Sequence, residues 1–596
     1  MLKKSPQHAV LVAIIGLSGC GNDLRDIDAR TDAAMRERSA ALGRDTLSPS
    51  RAGLGAEQAA PSGGAREARR RSLLKSPATT NPDASDLPFS PADEARDVNA
   101  RLEAYYLTPG VEPTPINLAW ALRQAHTSAR EYLNAEEEYV LAAVRLLIAR
   151  HVFDPILFAN STTSVVATGT DGTFDTPLRI LNELGVSQRL PDGGAVAARL
   201  VWDATEQLRG AATEQYRQAA SLELSASVPL LRGAGPVARE DLIQSERDVV
   251  YAARRFEDFR RALLVSVASD YFDLAQQVAV IANQKRQLQS LLQLEERVAA
   301  LVEAGRQAEF EKNIASNRVL QARSNLANQN ERLQLALDRF KTRLGLSPDV
   351  PLALEPAQLE LPEPETTPDA AAQAALLYRL DLQTTRDRVD DARRAVANAE
   401  NGILPDLNLG GSVAARTKPG AREGGLVFET DDFIYTGSVT FGLPLDRENE
   451  RLALRAAIID LQRSQRDLDL SRDNAVIEAR ARVREIDRAR FNLELAQQAV
   501  DINLRRQEEL ELKRDEVNTQ VIVDAQNDLL DAENARDQAV TDLRNAVLQY
   551  LLSTGQLRVN RDGTLKKPGS EGEPAGDATL GSQPNESPPE RASSPE

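Results

Sequence analysis

The sequence predicts a mainly α-helical protein with a smaller set of membrane β-strands, and both parts are duplicated along the chain. Three observations predict this fold class: apolar residues that recur at every seventh position, extended segments in which apolar and polar residues alternate, and a tandem repeat that contains both patterns. The apolar stripes are too thin for the core of a compact domain. The helices are therefore expected to form a long coiled-coil assembly.

Two segments carry the sevenfold spacing without proline, and Val267, Leu274 and Ile281 form part of one stripe. At 1.5 Å per residue, each segment makes a rod of roughly 100 Å. Each repeat also contains two shorter helical segments that together measure roughly 105 Å by the same rise, so two short helices stacked end to end match one rod. The long segments are about 237–302 and 447–514, and the short pairs are about 117–151 with 307–344 and about 370–401 with 518–553.

The extended segments have a period of two residues. From Phe433 to Phe441 most odd positions are large and apolar while most even positions are Ser or Thr, and the runs around Leu409 and Leu224 repeat this alternation. Alternation alone fits any half-buried antiparallel sheet. The N-terminal secretion signal described below indicates export, and no later run of about 18 apolar residues is long enough for a transmembrane helix. Any segment that crosses a membrane is therefore expected to be a β-strand.

The two repeats correspond at their corners. Pro155 and Pro405 follow the first helical segment of each repeat, and Pro229 and Pro444 close the strands that precede each long helix. We therefore expect these four prolines to stand where helices meet the barrel strands.

The N-terminus predicts export and lipid anchoring. Lys3 and Lys4 precede a short apolar segment, as in a secretory signal peptide. The following Leu17-Ser18-Gly19-Cys20 resembles the lipobox of bacterial lipoproteins, in which the cysteine becomes the first mature residue and carries diacylglycerol. Cys20 is the only cysteine in the chain, so it has no partner for an intramolecular disulfide.

These patterns divide the chain into six parts. They are a signal peptide at 1–19, a disordered tether at 20–110, a first structural repeat at 111–348, a linker at 349–369, a second structural repeat at 370–558 and a disordered acidic tail at 559–596.

Composition argues against several classes of function. A net charge of −17 and a pI near 5.0 disfavour a nucleic-acid partner. With three histidines and one cysteine, the chain cannot assemble a His and Cys metal cluster. We expect no metal, no cofactor and no enzymatic activity.

Strand pairs carried on long and stacked helices, duplicated in one chain and preceded by a lipobox, resemble the TolC family of outer-membrane efflux channels in its lipoprotein subtype. The most specific segments are Val228 to Gly235, Leu443-Pro444-Leu445 and Val521 to Ala532. The resemblance implies a homotrimer in which each protomer gives four strands to a shared twelve-stranded β-barrel and its helices to a coiled-coil periplasmic tunnel. Open sheet edges are not tolerated in lipid, because their backbone groups would lack hydrogen-bond partners. If the strands cross a membrane, several protomers must therefore join to close the barrel.

The same resemblance implies the outer-membrane channel of a tripartite export system, with a periplasmic adaptor and an inner-membrane pump as partners. Small-molecule efflux of drugs or metals is the expected activity. The alternatives are an outer-membrane conduit of type I protein secretion, a coiled-coil lipoprotein scaffold without a pore, and a periplasmic hydrolase, for which no convergent site exists.

The resemblance also implies a periplasmic aperture at the start of the last helix. By motif, the acidic residue of that aperture is Asp524, with Gln520, Val521 and Asn527 beside it. Val521 occupies the position where some members of the family carry a second acid. The alternative is that Asp524 is an exposed residue in a first helical turn, where an acid is favourable.

The first repeat departs from the family pattern by about 35 extra residues between Pro155 and Pro229. Within them, Arg189 to Gly194 reads as a turn between two extended runs. We expect an extra extracellular hairpin. If both runs enter the barrel instead, the number of strands per protomer rises.

Overall fold

The computed structural model describes residues 24–41, 114–170, 173–209, 216–355, 364–418, 427–428, 433–513, 517–560 and 562–564 of the 596-residue chain. The predicted signal peptide, Cys20 and most of the predicted tether and tail lie outside the described residues.

The described elements form two repeats of helices and strands. In chain order they are α1 (Leu24–Ala41), β1 (Thr114–Ile116), α2 (Leu118–Ser128), α3 (Arg130–His151), β2 (Ile156–Val165), β3 (Thr168–Thr170), β4 (Thr173–Arg189), β5 (Ala195–Arg209), β6 (Tyr216–Pro229), a 3₁₀ turn (Gly235–Arg239), α4 (Glu240–Glu303), α5 (Glu309–Arg343), β7 (Leu352–Leu354), α6 (Pro368–Tyr378), α7 (Leu380–Gly402), β8 (Asp406–Arg416), β9 (Phe433–Gly442), α8 (Glu448–Leu512) and α9 (Thr519–Ser553).

The two rods are confirmed as α4 and α8, which contain 64 and 65 residues and therefore extend for about 96 to 98 Å. Helix α4 ends at Glu303 and is followed, after Ala304, by Gly305, whose φ of 72° is the left-handed conformation that commonly terminates helices. There the amide of Gly305 donates to the carbonyl of Val302, and the amide of Arg306 donates to the carbonyl of Leu301. The chain then turns back into α5, which packs along α4 as α9 packs along α8.

The first helical segment of each repeat is broken, which the sequence patterns did not predict. Helices α2 and α3 are separated at Ala129, and α6 and α7 at Arg379, where the backbone is extended with ψ of 127° and 125°. The breaks occupy corresponding places in the two repeats, so the duplication extends to an irregular feature of the backbone.

The main core joins helices of both repeats. Its largest fully buried side chains include Tyr139 of α3, Tyr271 and Phe272 of α4, and Tyr550 of α9. The hydroxyl of Tyr271 donates to the carbonyls of Ile116 and Glu355, which ties α4 to the small parallel pair β1 and β7. A second, smaller cluster lies near the far ends of the rods and contains Leu291, Leu294, Val298, Val319, Ala322 and Val523.

The main sheet has the strand order β2-β4-β5-β6-β8-β9, and every neighbouring pair is antiparallel. Strand β4 pairs with β2 from Ile156 opposite Ser187 to Val165 opposite Leu178, and β5 pairs with β6. The sheet of this protomer therefore contains six long strands rather than the expected four, and the inserted hairpin is paired within the sheet rather than separate from it. The resemblance to the family implied four strands, whereas in this chain β4 pairs with β2 and β5, and β5 pairs with β4 and β6, so both inserted runs satisfy their backbone hydrogen bonds within the sheet.

Part of the predicted tether is folded. Helix α1 packs against α3 and buries Met35, which is 1% exposed. Glu37 of α1 forms an ion pair with Arg150 of α3 at 3.5 Å. The prediction of disorder is thus incorrect for residues 24–41.

Candidate functional site

The register of the sheet places apolar side chains on one of its faces. Leu184, Leu200 and Leu222 are directly opposite one another on β4, β5 and β6, and each remains 40–52% exposed. The same row continues to Phe433 on β9 through β8. Other exposed apolar residues on this face are Leu157, Leu224, Leu409, Tyr435, Val439 and Phe441. Soluble monomers rarely expose so continuous an apolar surface, which marks a contact with lipid or protein.

The opposite face is polar and carries ion pairs between strands. Arg199 of β5 lies between Glu183 of β4 and Glu223 of β6, at 3.3 and 3.5 Å from their carboxylate oxygens. Arg179 of β4 donates from Nε and Nη2 to Oδ2 of Asp203 on β5, at 2.9 and 2.5 Å. Each carboxylate in this ladder therefore faces a guanidinium. The alternation of the strands keeps these ion pairs off the apolar face, where Glu206 of β5 is the exception among the inserted residues.

The helices and the sheet meet at the predicted proline corners. Pro155 and Pro405 each stand immediately before a strand, Pro229 is the last residue of β6, and Pro444 follows β9 by two residues. The side chain of Asn401 links the corners of the two repeats: its Nδ2 donates to the carbonyl of Leu231, and its Oδ1 accepts from the amide of Gly233.

The β4–β5 turn also lies at this junction. Gly193 has φ of 94°, and a Cβ there would lie 2.4 Å from the carbonyl oxygen of Gly233. The carbonyl of Asp192 accepts a hydrogen bond from the amide of Gly235 at 3.1 Å. The turn thus packs on the loop before α4, at the helical end of the sheet.

Three of the four predicted aperture residues cluster at the start of α9. Asn518 caps the helix by accepting from the amide of Gln520, and Nε2 of Gln520 donates to Oδ1 of Asp524 at 2.7 Å. Val521 is exposed in the same turn. Asn527 is engaged differently, because its Oδ1 accepts from Nε2 of Gln287 on α4 at 2.7 Å.

Helix α4 contains a buried ionic cluster that was not predicted from the sequence. Charged residues between apolar stripes were expected to be exposed to solvent. Glu257 accepts hydrogen bonds from Arg260 and Arg261, and all three residues are 3% exposed. The only sequence signal is the spacing of three and four residues, which brings these groups onto one helical face.

No group of three or more His, Cys, Asp or Glu side chains that could hold a metal ion occurs among the described residues. Within that same part of the chain, no helix is both long enough and apolar enough to cross a membrane.

The fold is similar to those of solved outer-membrane proteins. The outer-membrane channel CmeC of Campylobacter jejuni matches with a TM-score of 0.57 at 14% identity, over 80% of this chain and 94% of CmeC. The outer-membrane protein VceC of Vibrio cholerae matches with a TM-score of 0.55 at 15% identity, over 74% and 96%. The open state of the Neisseria gonorrhoeae channel MtrE matches with a TM-score of 0.54 at 13% identity, over 74% and 89%.

No protein-family model and no curated protein sequence matches the chain. The structural matches nevertheless span most of both partners in each comparison. The chain therefore has the fold of the TolC-like outer-membrane channels, with long helices joined to a β-sheet portion.

Proposed function

We propose that the protein is the outer-membrane channel of a tripartite export system and conducts solutes from the periplasm to the cell exterior without enzymatic chemistry. The observation that carries this proposal is the two-faced sheet at one end of the rods. Its apolar face suits the hydrocarbon of a bilayer, and its polar face suits a water-filled passage.

The sheet also supports a homotrimer. Among the described strands, β2 and β9 each have one paired edge and one free edge in this protomer. Unpaired backbone groups are costly in lipid, so the free edges need partners. Further copies of the chain supply them, since β2 and β9 run in opposite directions and can join as antiparallel neighbours.

The helices then form a tunnel that points away from the sheet into the periplasm. Residues 304–310 and 517–521 lie at the ends of the long helices opposite the sheet, and we assign contact with the periplasmic adaptor and the inner-membrane pump to this end. Cys20 carries the lipid anchor in this proposal. The proposed cargo class is small molecules, drugs or metals, as the resemblance of the sequence implies.

Fractionation of cells that express the full chain tests the proposal. We expect the protein in outer-membrane fractions as trimers that dissociate on heating. A protein found only as a monomer in the soluble periplasmic fraction would contradict the channel.

A further inference from the structure

We propose that β4 and β5 are membrane-spanning strands, so that three copies of the chain close an eighteen-stranded barrel. This inference rests on the proposed channel function. In this arrangement, the insertion in the first repeat forms an additional part of the pore wall, and its lumen-facing side carries a ladder of arginine and carboxylate pairs.

The first support is the extent of pairing. Strand β4 is hydrogen-bonded along all ten residues of β2, and β5 follows β6 from Ala195 opposite Ser227 to Glu206 opposite Tyr216. The inserted strands contain 17 and 15 residues, whereas about 9 to 11 residues cross a bilayer in a tilted strand. The hairpin is thus part of the sheet and long enough to cross a membrane with its neighbours.

The second support is the continuity of the apolar face. Leu157 of β2, Val186 of β4, Ala198 of β5 and Leu224 of β6 form one row across the insertion. A hairpin surrounded by water would not need to continue this row. The inserted residues on the apolar face are mostly apolar: Leu178, Ile180, Leu184, Val186, Val196, Ala198, Leu200, Trp202 and Ala204, with Asn182, Gln188 and Glu206 as the polar exceptions.

The third support is the placement of charge. Arg179, Glu183, Arg199 and Asp203 of the inserted strands all lie on the polar face, where they pair with one another. A basic side chain turned toward lipid at mid-membrane would cost about 2 to 4 kcal/mol, whereas one in a water-filled lumen keeps its hydration. The ladder balances acidic and basic groups, so we expect the wall formed by the insertion to select little by charge.

The width of the barrel follows from the strand count. Six strands per protomer are an even number, so the ring can close with antiparallel neighbours throughout. At a strand spacing of about 4.8 Å and a tilt of about 40°, eighteen strands give a backbone diameter of about 36 Å, against about 24 Å for twelve. The two inserted strands would thus increase the backbone diameter of the barrel by about half.

The insertion widens the sheet without adding a helix. Its turn at Gly193 rests on the loop around Gly233 and returns directly into β5. Each protomer still supplies the two long helices and the two sets of shorter helices to the tunnel.

Cysteine labelling in outer-membrane preparations tests the placement of β4. Glu183→Cys should react with a water-soluble maleimide from the lumen, whereas Leu184→Cys, which faces lipid, should react at least about tenfold more slowly. Glu223→Cys and Leu224→Cys on β6 are the matched control pair. Equal labelling at 183 and 184, with the contrast kept at 223 and 224, would overturn the inference but not the channel function.

Counting strands in a cryo-electron microscopy map of the full-length assembly tests the closure. We expect eighteen strands from three chains. Twelve strands from three chains, with the hairpin outside the wall, or twelve from two chains, would overturn the eighteen-stranded barrel. Loss of the labelling contrast at 223 and 224 as well, in a protein absent from the outer membrane, would instead refute the proposed function.

Discussion

A Cβ atom on Gly345 would lie 2.0 Å from the carbonyl oxygen of Ser128, where the end of α5 meets the break between α2 and α3. In the second repeat, a Cβ on Gly555 would lie 2.8 Å from the carbonyl oxygen of Tyr378, at the corresponding break. Both glycines have positive φ, 77° and 69°. The same close approach thus joins the last helix of each repeat to its first broken helix.

Gly345→Ala is expected to destabilise the protein by roughly 3 kcal/mol or more, because the clash involves backbone atoms that cannot rotate away. Gly305→Ala is the matched control, since Gly305 also has positive φ but a Cβ added there would have no atom within 4 Å. It should cost only about 1 to 2 kcal/mol. Denaturation of the detergent-solubilised protein, followed by far-ultraviolet circular dichroism, measures both. Equal losses would show that the contact with Ser128 is unimportant.

Glu257→Gln is expected to cost roughly 3 to 5 kcal/mol, because it leaves the buried guanidinium groups of Arg260 and Arg261 without their carboxylate. Thermal unfolding at neutral pH measures this loss. An unchanged melting temperature would contradict the assignment of Glu257 as the counter-ion of both arginines.

Asp258→Asn should have the opposite effect. Burial raises the pKa of Asp258 from 3.8 to about 6, although Arg261 lowers it in part. A carboxyl whose pKa is raised by folding destabilises the folded state when ionised, so this cost grows as pH rises from about 4 to 6 and is complete above that range. The substitution should therefore raise the melting temperature by a few degrees at neutral pH and have little effect near pH 4. A gain that is equal at both pH values would contradict this origin.

Asp524→Ala should weaken cation selectivity and block by multivalent cations in planar-bilayer recordings. Three copies of this acid around a trimer axis would attract cations into a narrow passage. Asp473→Ala is the control, because Asp473 is an exposed acid in the middle of α8. Unchanged cation selectivity in an intact Asp524→Ala trimer would show that Asp524 does not line the aperture and is a solvated helix residue.

Cys20→Ser should abolish labelling with a fatty-acid analogue and leave an unprocessed precursor. The predicted lipobox has no other cysteine to accept the lipid. We expect trimer assembly to fall more than transport per trimer, since the strands hold the assembly in the membrane independently. Labelling that persists in the variant would refute the lipid anchor.

Long periodic elements could be predicted from the sequence because their local pattern and their environment agree. The heptads of α4 and α8 continue without proline, and the alternation of β9 matches one apolar and one polar face. The corners at Pro155 and Pro405 were likewise visible as changes of period.

Features set by contacts between distant segments could not be predicted in this way. The helix break at Ala129 has no signal in the local sequence, because alanine favours helices. The break instead accommodates the end of α5, which packs against Ser128. The burial of Glu257 depends on neighbouring helices. Strand β4 belongs to the sheet because it pairs with β2. The alternation of apolar and polar residues in β4 is compatible with this pairing but does not determine which strand is its partner.

Single-channel recording of purified trimers in planar bilayers tests most directly whether the protein conducts solutes across a membrane. The proposed channel predicts discrete current steps from heat-dissociable trimers, and no steps from the same preparation after the trimers have been dissociated. Trimers that insert into the bilayer but produce no current steps would contradict it.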